Sequence, residues 1–167
     1  SLKTVRDIYR VPSLLPINPT LQNYEQLIGT WKFLDAIKNS VIVAGLTTII
    51  SVFISSLAAY SLVRLKYRFR TWSARLILFS YLTPSSLLFI PLAVIIAQLG
   101  LANTHLGLIF VYLTFAAPLS TWLLMGFFRS IPFDLDEQAM VDGATRLGAL
   151  FRIVLPLSAP GLISCAR

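Results

Sequence analysis

Four of the seven carboxylates in the chain crowd into one short segment, at Asp134, Asp136, Glu137 and Asp142. Pro132 stands where the first turn of a helix tolerates proline. The acids that follow suit the positive end of a helix dipole. The helix continues through Gln138-Ala139-Met140-Val141 and stops at Gly143, and Thr145 is placed to cap the next one, which carries Arg146, Arg152 and Ile153-Val154-Leu155-Pro156. The chemistry such a helix offers is recognition. Leu135, Ala139 and Met140 make an apolar stripe at near-helical spacing, and the acids supply charge complementarity to a basic partner. An amphipathic helix lying flat on headgroups is the competing reading. Acidic residues sit poorly on an anionic leaflet, where Lys and Arg are favoured.

Catalysis finds little purchase. His105 and Cys165 are single, which removes His–carboxylate and His–Cys arrangements, an internal disulfide and a thiolate metal site. No nucleophile–base pair or paired carboxylates fall at membrane depth, as an intramembrane enzyme would need. No Gly-rich phosphate loop is present. We therefore expect no catalytic, cofactor-binding or metal-binding residues, and read His105 as an interfacial loop residue.

The elements that must hold the acidic segment are membrane spans. Hydrophobic residues make up 56% of the chain and charged ones 13%, against about 25% charged in a soluble domain. Too little charge remains to cover a water-facing surface. The net charge of +7 does not form a basic patch on a soluble module, so nucleic acid is not an expected partner. Asn39 to Val63 is free of charge; as a helix it would extend roughly 37 Å, enough to cross a hydrocarbon core of about 30 Å. Ser51, Ser55, Ser56, Ala58 and Ala59 suit close helix packing in lipid. The uncharged stretch from 76 to 128 is too long for one span, and Gly100 to Gly107 supplies the break.

The expected organisation is an all-α, polytopic helical bundle. An extracytoplasmic lead-in covers 1–38, with a Pro-broken stretch from Val11 to Thr20 and a short helix capped by Thr20 and closed by Gly29. Spans follow at 39–63, 76–99 and 106–128, with Pro84, Pro91 and Pro118 kinking the last two. A cytoplasmic segment covers 129–152, and 153–167 begins another span. The ends read as cut, with a span expected beyond each. Trp31, Trp72 and Trp122 fall near span ends as interfacial anchors. Arg64, Lys66, Arg68, Arg70 and Arg75, with Arg129, Arg146 and Arg152, put positive charge on one face, against none in the 100–107 turn. That places 129–152 in the cytoplasm.

Glu137-Gln138-Ala139, three residues, Gly143, nine residues, Ile153-Val154-Leu155-Pro156 resembles the EAA motif of ABC importer permeases, E-A-A-x(3)-G-x(9)-I-x-L-P. Only Gln138 departs from the pattern. The wider chain is similar to the maltose-type carbohydrate branch, through Pro19-Thr20-Leu21-Gln22-Asn23-Tyr24, Ala58-Ala59-Tyr60-Ser61-Leu62, Gly126-Phe127-Phe128-Arg129-Ser130-Ile131-Pro132 and Val141-Asp142-Gly143-Ala144.

The resemblance implies a multi-pass subunit of the bacterial cytoplasmic (inner) membrane with the type I ABC importer permease fold. This chain would hold about four of its six spans. The implied function is binding-protein-dependent import of a sugar, a di- or oligosaccharide. Partners would be ATP-binding cassette subunits, a second permease subunit and an extracytoplasmic solute-binding protein, with ATP bound and hydrolysed by the partner. Coupling to the ATPase would run through Asp134, Glu137, Gln138, Ala139, Met140, Asp142, Gly143, Ile153 and Pro156. Polar residues such as Thr83, Ser85, Ser86, Tyr112 and Thr114 would line the sugar path or bond between helices, and no substrate-binding residue is assigned. A permease for a peptide, amino acid or phosphate ester shares the same motif. A secondary transporter or channel is disfavoured, because no Asp, Glu, Lys or Arg lies inside a span.

Overall fold

A computed structural model of the chain describes residues 20–29 and 33–166, and every regular element in them is helical. The Pro-broken part of the lead-in and Trp31 lie outside the described residues. Two compact units divide the chain at Ile42 and Val43. In the first, Gln22–Gly29 forms α1, its start fixed by the Gln22 N–H donating to Thr20 Oγ1 at 3.2 Å. Everything below concerns the second unit and the helix whose first residues precede it.

Helix α2, Phe33–Arg64, buries one face at helical spacing: Val43, Thr47, Ser51, Ser55 and Ala59, then Tyr60, Leu62, Val63 and Arg64. These are small residues until the last turn, so a neighbouring backbone can come close. The Ser55 hydroxyl donates to the Ala117 carbonyl at 2.9 Å, and Ala117 belongs to α5, His105–Ser130. Between them run α3, Arg70–Leu82, and α4, Ser85–Gln98.

The stretch expected as one span over 76–99 is thus two helices, meeting at 96°. The cause is local. Pro84 has no N–H to donate and forces Thr83 out of helical backbone, to φ −66°, ψ 126°. Of the three prolines expected to kink spans, this one breaks the helix, while Pro91 and Pro118 stay inside continuous helices. The break expected near Gly100 falls at 99–104. Gly100 and Asn103 take positive φ there, and Thr104 caps α5 by accepting from Gly107 N–H at 3.1 Å.

Past α5 come α6, Asp134–Val141, then α7, Arg146–Leu157, and α8, Ala159–Cys165, bent by 81° from α7. Leu150–Val154 within α7 is a π-helical turn, closed by Leu155 N–H donating to the Leu150 carbonyl. Where α8 crosses α5 the approach is tight: a Cβ on Gly161 would lie 2.5 Å from the Phe127 ring.

The core sits at one end of the bundle. Ala59, Tyr60, Leu62 and Val63 of α2 meet Leu124, Met125 and Phe128 of α5, and Leu150 and Val154 of α7 close it. Among the described residues, α2 and α5 are each long and apolar enough to cross a membrane. The bent pairs α3–α4 and α7–α8 bring the number to four if each counts as one span.

Of the polar residues read as path-lining or interhelical, two make hydrogen bonds within their own helices. Thr83 and Thr114 donate back to the carbonyls of Phe79 and Phe110, one turn earlier in their own helices.

Candidate functional site

Helix α6 is short, and its two ends are fixed by different means. At the C-terminus, Gly143 N–H donates to the Met140 carbonyl at 3.1 Å and Ala144 N–H to the Ala139 carbonyl at 2.9 Å. With Gly143 at φ +88°, this is the Schellman arrangement, which satisfies the carbonyls of Ala139 and Met140 at that corner. A side chain at this φ is strained, and hence glycine. Thr145 then caps α7 by accepting from Gly148 N–H at 3.1 Å. Pro132 precedes the helix by two residues rather than sitting in its first turn, and Phe133 occupies the N-cap with no side-chain hydrogen bond. The acids Asp134, Asp136 and Glu137 lie in the first turn, where unpaired N–H groups favour negative charge.

Arg64 replaces the missing cap as the device that holds this start in place. Its Nε lies 3.3 Å from Asp136 Oδ2. Its Nη2 donates to the carbonyls of Phe128 and Ile131 at 3.1 and 2.9 Å. Its guanidinium lies 4.3 Å from the centre of the Phe133 ring. One side chain therefore joins the last turn of α2, the frayed end of α5 and the first turn of α6. Both charges are buried, Arg64 at 7% exposure and Asp136 at 5%. Burial pushes the Asp136 carboxyl above the usual range, and the Arg64 charge beside it pulls it partly back. Arg64 Nε and Nη1 and Asp136 Oδ1 make no hydrogen bond, so the contact with Asp136 is an ion pair.

Reading the sequence for topology alone counts Arg64 as one more loop charge. The available signal is its phase: Ser56, Tyr60 and Arg64 follow one another at four-residue spacing down the buried face of α2.

The residues expected to couple divide by burial. Asp134, Glu137, Gln138, Asp142 and Gly143 face outward, together with Val141, which is 87% exposed. The stripe expected to greet a partner turns inward instead: Ala139 is buried, Met140 is half-buried, and Leu135 packs on the core. The core claims Leu135, and Ala139 lies beside Ala149 and Ile153 of α7, so the outward face of α6 is acidic with a single large apolar residue. Clefts open on either side. One, of about 590 Å³, has Arg64, Lys66, Arg70 and Arg146 facing Asp136 and Glu137. The other, of about 350 Å³, is lined by Gln138, Asp142, Arg152 and Ile153 among others. Ile153 is thereby brought to α6, whereas Pro156 lies exposed farther along α7. Among the described residues, no group of three His, Cys, Asp or Glu side chains is placed to hold a metal ion.

Apolar helices long enough to cross a bilayer, carrying a short acidic helix on a Gly corner at the end of the packed core, describe a polytopic membrane component. Residues 27–167 match the family described as the binding-protein-dependent transport system inner membrane component, and the chain belongs to that family.

The chain is 41% identical over 165 residues to the permease protein of a sulfoquinovosyl glycerol transport system from Agrobacterium fabrum, covering 98% of this chain and 58% of that protein. It is 41% identical over 155 residues to the trehalose/maltose permease protein of Thermococcus litoralis, covering 92% and 56%. The trehalose permease protein of Mycobacterium tuberculosis is 38% identical over 153 residues, covering 92% and 56%. The chain thus spans little more than half the length of these relatives.

Proposed function

We propose that the chain is part of a permease subunit that imports a sugar, a di- or oligosaccharide, across the bacterial cytoplasmic membrane by alternating access. An extracytoplasmic solute-binding protein delivers the cargo, a second permease subunit completes the path, and ATP is hydrolysed by cassette subunits on the cytoplasmic side. Helix α6 is the part those subunits grip. The relatives' names support the cargo class. The observation that carries the coupling role is the outward acidic face of α6, Asp134, Glu137, Gln138 and Asp142, held on an anchored helix with closed backbone bonding at its Gly143 corner. Ala139 and Met140 support that helix from within and Ile153 from α7, with Pro156 farther along the same rod.

The test is purification of the full-length subunit from its native membrane. An ATP-hydrolysing subunit and a second permease should accompany it. Glu137→Lys should lower uptake by about tenfold or more while the subunit stays inserted, because a charge reversal at a docking face changes its coupling free energy. Uptake at the wild-type rate in that variant, or purification without a nucleotide-hydrolysing companion, ends this reading.

A further inference from the structure

We infer that Arg64 is a positioning residue for energy coupling: it locks α6 to α2, so that displacement of α6 reaches the core of the bundle through a side chain as well as through α7. The inference rests on the coupling reading above and adds to it a second route.

The covalent route is long and contains a weak point. From α6 the backbone passes the Gly143 corner, then the π turn Leu150–Val154 of α7. Both can absorb motion, since a glycine corner has few steric restraints and a π turn is a local departure from regular helix. The route through Arg64 is short. Its guanidinium touches Asp136 and Phe133 on one side and the carbonyls of Phe128 and Ile131 on the other, and its own backbone is the last turn of α2. The four contacts come from a planar group that cannot swing without losing several at once. They are also shielded from water, since the Arg64 and Asp136 side chains are exposed by only 2% and 7%. The pair is therefore screened by salt less than a surface pair would be, although it borders the 590 Å³ cleft.

A purely structural role for Arg64 predicts the same packing loss wherever the pair is broken. A positioning role predicts that α6 loses its fixed angle to α2 and that hydrolysis becomes detached from transport. Two readouts of the full-length subunit in its complete complex separate them. In the first, Cys165→Ser and the replacement of any further native cysteine in the complex clear the background, and spin labels are placed at Leu46→Cys on α2 and Val141→Cys on α6, both exposed positions. Arg64 should give one narrow distance and Arg64→Gln a broad distribution. Arg64→Lys should fall between, because an ammonium can pair with Asp136 but lacks the fork that reaches both carbonyls.

The second readout is sugar moved per ATP hydrolysed. It should fall about tenfold or more in Arg64→Gln complexes of unchanged subunit composition. A narrow distance in Arg64→Gln, or an unchanged ratio of sugar to ATP, overturns the inference. If Arg64→Gln fails to insert, Arg64→Lys decides by the same two measurements, and wild-type values in it overturn the inference equally. A wild-type complex without an ATP-hydrolysing subunit defeats the coupling reading instead, and the distance comparison still decides whether Arg64 fixes α6.

Discussion

In the corner where α2, α5 and α6 meet, Ala59, Leu124 and Phe128 are wholly excluded from the surface and a charged pair is buried with them. In α3 and α4 no residue is buried, and Phe79, Leu87 and Ile90 are 71%, 69% and 77% exposed. Apolar content does not explain the contrast, because α4 from Leu87 to Ile96 is as apolar as α2. Side-chain size does. Lipid tails give helices no reason to hide apolar surface from one another, so packing depends on how closely backbones approach. Thr47, Ser51, Ser55 and Ala59 let α2 come within hydrogen-bonding reach of α5, whereas α4 presents Leu87, Phe89, Ile90 and Leu92. The first region is held by its own contacts; in the second, Ala74 and Ile77 of α3 still pack against that core, while α4 offers its surface to lipid or to other chains.

The comparison can be broken from either side. The largest effect belongs to Phe128→Ala, which should destabilise the full-length subunit in bicelles by about 3–5 kcal/mol, the loss expected for a fully buried aromatic. Gly143→Val should cost roughly 1–2 kcal/mol, from forcing a β-branched residue to positive φ, and should do so without a cavity; a structure of the variant with the Schellman bonds intact and no loss of stability would show that the corner tolerates strain. Ile90→Ala should shift stability by less than about 0.5 kcal/mol, as exposed substitutions do. A loss matching that of Phe128→Ala would mean that α4 is packed in the native bilayer and that the contrast is false.

Legibility followed the reach of each signal along the chain. The Thr20 and Thr145 caps, the Gly143 corner and the break after Leu99 depend on residues within a few positions of one another, and the sequence displays them. The uncharged run from Asn39 to Val63 likewise marks the body of α2, although the helix extends beyond it at both ends, to Phe33 and Arg64. The pairing of Arg64 with Asp136 joins residues far apart, and nothing local announces it. The same holds for the inward turn of Ala139, since a helix as short as α6 carries too few turns for its apolar face to be read without knowing what it packs on. Pro84 marks the place of the bend, but the 96° angle depends on what α3 and α4 rest against.

The π turn in α7 has a bearing on Pro156 just beyond it. A regular helix would aim the Pro156 ring at the carbonyl of Arg152, a clash that ordinarily kinks or breaks the helix. Widening the preceding turn moves that carbonyl off the helical track, and the Leu155 N–H is satisfied one residue farther back, at Leu150. The proline thus enters without severing the rod, which runs on to Leu157.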